Sequence, residues 1–254
     1  MEKEDETWLE IFQDNPWKEL VNKKEPPYCL EPDRDIIEEY NRTHEKKVML
    51  KRRPSPYLGD VVNSKIFLLF NNPGHPYPNE VENFDPDFII EKWRDNILQN
   101  GSNKYPLYFL DPELGERLKG KKEEGAKYFT RFFGGNKKLN QNSYRELIAK
   151  NICFVEYFPY PTASNSGVPD LNGRVLPSQE FTFRIIKQAI YLNKIIIVYR
   201  GKKYWMKIRE IADYFSTGNL YHNKHPGLRH LTKGGLTNNR NEVLDIFQKC
   251  EEFV

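Results

Sequence analysis

A chain of 254 residues with 38% hydrophobic, 14% aromatic and 30% charged residues has the makings of a sizeable core, which argues against disorder, and no apolar run approaches membrane-spanning length. Its 39 basic and 36 acidic residues leave a net charge of only +3, too little to mark a nucleic-acid binder by total charge. The opening Met1-Glu2-Lys3-Glu4-Asp5-Glu6 lacks the basic flank and apolar stretch of a secretory signal, so an intracellular, cytoplasmic protein with no membrane partner is expected.

Residues 1–55 read as an N-terminal helical extension packed on the core, with helical pieces at Trp8 to Phe12 and Ile36 to Tyr40; Lys46 to Arg53 is basic and otherwise uninformative. The first strand is Ser64 to Phe70, a near-continuous apolar run ending in the turn-forming Asn71-Asn72-Pro73-Gly74. Such a run suits a strand covered on both faces. The span from His75 to Lys150 is too long for a loop, and its aromatic patches imply a helical insert (75–150) that walls one side of a site.

A second strand runs from Ile152 to Phe158 and stops at Pro159; a third, Lys194 to Tyr199, stops near Gly201. Between them a helix starts at Ser178, an N-cap after Pro177, with Phe181, Ile185, Ala189 and Leu192 at helical spacing. After Gly201, the residues Trp205, Ile208, Ile211, Ala212 and Phe215 repeat as one helical face, and Asn219 to His222 is a weaker fourth strand. Strand–helix alternation predicts right-handed parallel crossovers, hence one α/β domain (1–254) built on a small four-stranded, mainly parallel sheet flanked by helices. Ligands of such sheets bind beyond the carboxyl ends of the strands, where Asn72, Glu156 to Tyr160 and Arg200 are delivered.

Cys29, Cys153 and Cys250 stand in no paired spacing, so they read as buried small hydrophobes; neither a disulfide framework nor a metal site is expected. Charge distribution says more than charge total. No acidic residue occurs among the 28 positions from Tyr214 to Asn241, or from Val61 to Asn79 around the Asn-Asn-Pro-Gly loop. If the two windows meet in space they form an anion-tolerant cleft suited to a phosphate backbone; ordinary segregation of surface charge is the alternative.

Phe70-Asn71-Asn72-Pro73-Gly74, ending a core strand, resembles the Gly-Ile-Asn-Pro-Gly motif of the mismatch-specific and thymine-DNA branches of the uracil-DNA glycosylase superfamily. The resemblance assigns Asn72 the positioning of the attacking water, with Phe70 in place of the family's first Gly. Glu156 falls where uracil-specific members carry an Asn that reads the flipped base. His225-Pro226-Gly227-Leu228-Arg229 resembles the family's second motif, typically His-Pro-Ser followed by a minor-groove wedge, with Gly227 replacing Ser. The resemblance spans Tyr57 to Leu236 and implies a uracil-DNA glycosylase-like fold.

What the resemblance implies is a monofunctional DNA N-glycosylase, a hydrolase of N-glycosyl bonds that works on DNA as a monomer, with no cofactor and no metal. Its catalytic residues are Asn72 and His225. Base contacts fall to Glu156, Tyr77, Tyr157 and Phe158, with Tyr160 a further aromatic candidate for stacking the base. DNA contacts fall to Asn71, Gly74, His75, Arg200, Lys224, Leu228, Arg229 and His230. The chemistry needs only a held water, a stabilised oxocarbenium-like sugar and a stabilised departing base, and an amide orients water more than it activates it. An ionised carboxylate accepts hydrogen bonds and so suits an exocyclic amine, which turns the expected substrate from uracil to a modified, cytosine-type base such as some bacteriophages carry, and the role to anti-phage defence. Such a base leaves less readily than uracil, so a proton donor beside it is useful, and the candidates are His225, His230 or a Glu156 protonated by burial. For Glu156 a salt bridge is the structural alternative, and core packing is the alternative for each aromatic residue. Rival functions are a uracil or mismatched-thymine repair glycosylase, a non-catalytic DNA-binding module of the same fold, and a small-molecule nucleotide or nucleoside hydrolase.

Overall fold

A computed structural model describes residues 7–73, 86–99, 103–117, 132–133, 136–162, 167–225, 230–232 and 234–253. Among these, seven strands form one mixed sheet in the order β1-β3-β2-β4-β5-β6-β7. They are β1 (Tyr57–Leu58), β2 (Ile66–Phe70), β3 (Ile152–Glu156), β4 (Ile195–Val198), β5 (Leu220–Asn223), β6 (Leu236–Thr237) and β7 (Val243–Leu244). The four expected strands are its parallel centre, β3-β2-β4-β5. The expectation of four strands in all is corrected to seven, because β1, β6 and β7 have two residues each and join antiparallel, too short for any periodicity to show.

Alternation within β2 to β4 explains how the sheet is covered. Phe67, Leu69, Cys153, Val155, Ile196 and Val198 enter one core with Trp17, Tyr160, Phe181 and Trp205, while Ile66, Leu68, Ile152, Phe154 and Ile197 enter a second with Phe132, Phe133, Ile148 and Leu236. Both faces are therefore buried, as the apolar runs require. The first face carries α1 (Trp8–Gln13), α2 (Lys18–Val21), α3 (Glu31–Thr43), α7 (Pro177–Tyr191) and α9 (Arg209–Ser216). The second carries α6 (Asn142–Asn151) and α10 (Ile246–Glu251). Within 75–150 the described residues include α4 (Pro86–Leu98) and α5 (Pro112–Arg117) ahead of α6.

Two helix expectations are revised. Pro177 is the first residue of α7 and Leu176 its cap, so Ser178 lies inside the helix. The backbone amide of Ser178 donates to Asp33 Oδ1 at 3.0 Å, an acceptor brought by α3, and Asp33 Oδ2 accepts from the Tyr160 hydroxyl at 2.7 Å. The segment after Gly201 is two helices, α8 (Lys202–Trp205) and α9, rather than one.

All three cysteines are buried thiols, with Cys29 pushed by burial up to about 11 and Cys250 to about 12. Among the described residues no helix is long and apolar enough to cross a membrane.

Candidate functional site

The chain moves from β2 to β3 in one direction and then crosses back over β2 to β4 and on to β5, so the loops leaving β2 and β4 diverge. A crevice at that switch point is where an α/β sheet takes its ligands. Its floor is stitched by backbone. Leu69 O accepts from the amides of Tyr199 and Arg200, both at 3.0 Å; Phe70 O accepts from Tyr157 N at 2.9 Å and Trp205 Nε1 at 3.0 Å; Asn71 O accepts from Phe158 N at 2.8 Å. Three strand ends thus share one short piece of chain, a rigid mounting for side chains.

Asn72 stands on this mounting with its amide clamped. Its Nδ2 donates to Thr162 Oγ1 at 3.0 Å and to the Gly167 carbonyl at 3.1 Å, so both amide hydrogens are engaged and Oδ1 is left as the acceptor. Thr162 is held in turn by a bridge to Val48, beside a bond from Met49 N to Pro161 O at 2.8 Å. The Lys46 to Arg53 stretch therefore helps place Asn72.

Asn71 turns its side chain between two glycines. Gly201 has φ +73°, and a Cβ there would lie 1.9 Å from Asn71 Oδ1, so only glycine leaves room. That Oδ1 is buried and makes no hydrogen bond.

Glu156, at the end of β3, is in register with Phe70 and shares its face of the sheet. The residue is half-buried, but its Oε2 is sealed from solvent and has no partner. Burial pushes its carboxyl well above the usual carboxylate range, and no charged neighbour pulls it back. The salt-bridge alternative does not hold among the described residues. At the end of β5, Asn223 Nδ2 donates to Tyr199 O at 2.8 Å, and its Oδ1 is likewise buried without a partner. Three unsatisfied side-chain oxygens thus fall at the carboxyl ends of β2, β3 and β5. Buried polar atoms are normally paired, so a concentration of exceptions on one edge marks a place built for something else.

Cations frame this edge. Arg200 lies over the Tyr199 ring at 5.4 Å, Lys203 over Tyr204 at 4.8 Å and Lys202 over Phe215 at 4.2 Å, with exposed Lys224 after β5. The described residues that follow β2 and β5, Asn71 to Pro73 and Lys224 to His225, belong to the two acid-free windows and lie on this same edge, because the two strands are parallel with only β4 between them.

Several expected residues are placed otherwise. Tyr157 and Phe158 are core residues, 8% and 0% exposed: Tyr157 packs among Phe183, Tyr204 and Trp205, and Phe158 against Tyr160, itself fully buried. None of the three can stack a flipped base. His225 and His230 are exposed, and His225 leaves β5, two strands and roughly 10 Å of sheet width from β2. Gly74, His75, Tyr77, Leu228 and Arg229 lie outside the described residues. Sequence reasoning missed Phe70, Thr162, Gly167, Gly201 and Asn223. Phe70 carried a signal as the departure from Gly in the first motif; its half-buried ring contacts Phe132, Phe154 and Tyr199 at 5.6, 5.1 and 5.3 Å between centroids. Among the described residues no cluster of His, Cys, Asp and Glu could hold a metal. Comparisons with protein-family models, curated proteins and solved structures return no match to the chain.

Proposed function

We propose that the chain is a DNA glycosylase of the uracil-DNA glycosylase superfamily, hydrolysing the N-glycosidic bond of a flipped, modified cytosine-type base to leave an abasic site. The observation that carries the reading is the clamped amide of Asn72, whose Nδ2 is engaged by Thr162 and Gly167 while Oδ1 is left to accept from a water. An acceptor held in that way orients a nucleophile without needing to deprotonate it, which suits attack on an oxocarbenium-like sugar.

The surroundings agree in kind. Glu156 sits on the neighbouring strand end where a base contact is wanted, and Arg200, Lys202, Lys203 and Lys224 supply charge for phosphates. A lone nucleotide would not need so extended a cationic rim, which favours DNA over a free nucleotide or nucleoside. Because modified cytosines occur in some bacteriophage DNA, the biological role we propose is defence against phage.

The test uses duplexes and single strands carrying uracil, mispaired thymine, cytosine, 5-methylcytosine or 5-hydroxymethylcytosine, with alkali to cleave abasic sites. Wild-type protein is expected to yield breaks at a cytosine-type base, and Asn72→Ala to lose about 100-fold in rate. Breaks at no substrate, or an Asn72→Ala variant as fast as wild type, would sink the assignment.

A further inference from the structure

Glu156 presents two unlike oxygens. Oε2 is sealed and unpartnered, so it faces neither water nor a donor, although the residue as a whole is only half-buried. Among the described residues its surroundings are apolar or neutral. Phe70 from β2, Phe154 from β3 and Tyr199 just after β4 line the same face, the carbonyl before β1 at Pro56 takes the Glu156 amide at 2.9 Å, and Arg200 is two strands away. Among the described residues no charged side chain acts on it. A carboxylate with one oxygen stranded in this way loses far more solvation than a neutral carboxyl whose C=O points inward and whose O–H points out.

Resting on the glycosylase reading above, we propose that Glu156 works as a neutral acid, donating its hydroxyl to ring nitrogen N3 of a cytosine-type base and passing it that proton as the glycosidic bond breaks. The group is then a donor where an ionised carboxylate would be an acceptor, and this alters which edge it reads. N3 of cytosine is an acceptor, whereas N3 of uracil and thymine carries a hydrogen and would meet donor with donor. Buried groups aimed at the wrong partner are what discriminate most strongly between near-isosteric ligands.

The proton inventory closes. The O–H bond of Glu156 breaks as an N3–H bond forms, the C1′–N1 electron pair stays with the base, and the base leaves neutral. Water oriented by Asn72 adds its oxygen to C1′ and gives one proton to solvent, and the Glu156 carboxylate takes one back from solvent. No oxidant, metal or covalent intermediate enters. Cytosine is a poorer leaving group than uracil, so proton delivery is worth most for the base that needs it.

Two measurements test this. In protein labelled with 13C at glutamate carboxyls, with Glu156→Gln to assign the signal, Glu156 is expected to be a neutral acid at pH 7 and to change on addition of free cytosine but not of free uracil. In single-turnover assays on duplexes carrying 5-hydroxymethylcytosine or 5-fluorouracil, whose anion leaves readily without a proton, Glu156→Gln is expected to slow the cytosine-type base about 100-fold more than 5-fluorouracil. Equal slowing of both bases, or an ionised Glu156 at pH 7, overturns the inference while leaving a glycosylase that still cuts. Wild-type protein that cuts neither these duplexes nor any base of the wider panel removes the glycosylase reading, and proton delivery falls with it; a carboxyl signal indifferent to cytosine overturns the inference by itself.

Discussion

Gly201 shows how one position can serve backbone and site together. Its φ of +73° admits a side chain only with strain, and the space a Cβ would take holds Asn71 Oδ1, 1.9 Å away. Gly201→Ala is expected to destabilise by about 1–3 kcal/mol, seen as a lower denaturant midpoint with unchanged slope. Adding Asn71→Gly should return the part due to crowding, and a pair of purely additive effects would show that the two residues do not compete for that space. Glu156 gives a second prediction that needs no substrate. Its carboxyl titrates higher in the folded chain than in the unfolded one, so the stabilisation tied to its proton is complete below the unfolded value, about pH 4, and is lost as pH rises through the folded value. Glutamine carries no such dependence. The melting temperature of Glu156→Gln relative to wild type should therefore rise as pH rises from 4 to 8, and a gap flat with pH would mean that the folded carboxyl is not perturbed. The strand-end positions of Asn72 and Glu156 were legible in the sequence, because Asn72 follows an apolar run closed by Pro73 and Glu156 falls near the end of a run stopped by Pro159. Their surroundings were not: nothing local to Tyr157 or Phe158 tells a core ring from a stacking platform, since that depends on Phe183, Tyr204 and Trp205 arriving from elsewhere in the chain.

Helix α7 shows the same limit at the scale of an element. Phe181, Ile185 and Ala189 are all buried on one face, so periodicity located the helix. Its start was misplaced because the acceptor for its first turn comes from Asp33, 145 residues earlier in the chain, and no local pattern can announce a cap supplied from that distance. Gln179 supplies a local half, accepting from Leu176 N through Oε1 at 2.9 Å. Asp33 also accepts from the Tyr160 hydroxyl, which in turn accepts from Leu30 N at 3.2 Å, so one carboxylate joins α3, α7 and the segment after β3. Asp33→Ala leaves two buried donors without their acceptor and is expected to cost about 1–3 kcal/mol per orphaned group, measured by thermal or denaturant unfolding. Hydrogen exchange should locate the loss in the first turn of α7; exchange unchanged there would mean that Asp33 does not cap it. The break between α8 and α9 has a plainer origin. Trp205 spends its Nε1–H on Phe70 O and is fully buried, which anchors α8 to the end of β2, and the chain turns through Met206 to Ile208 before α9 can lay Ile211 on the core.

At the scale of the whole molecule, sheet order decides whether two distant acid-free windows amount to anything. A sequence reports that Val61 to Asn79 and Tyr214 to Asn241 avoid carboxylates, but only the order β3-β2-β4-β5 brings their strand ends to one edge, with Arg200, Lys202 and Lys203 arriving between them on the loop and helix after β4. The three two-residue strands, silent in the sequence, extend this sheet on both sides without touching that juxtaposition. If the edge faces a DNA backbone, affinity for a duplex is dominated by phosphates and falls steeply with salt. Anisotropy of a labelled duplex, titrated between roughly 50 and 200 mM salt, should then give a log–log slope that drops by about 1 for each phosphate contact removed by Lys202→Ala, Lys203→Ala or Lys224→Ala. Asn72→Ala should leave that slope unchanged while slowing cleavage about 100-fold, since it orients water and meets no phosphate. The contrast separates the cationic rim from the chemistry it surrounds: variants of the lysines that bind with the wild-type slope would place the DNA elsewhere on the molecule, even if Asn72 proves essential.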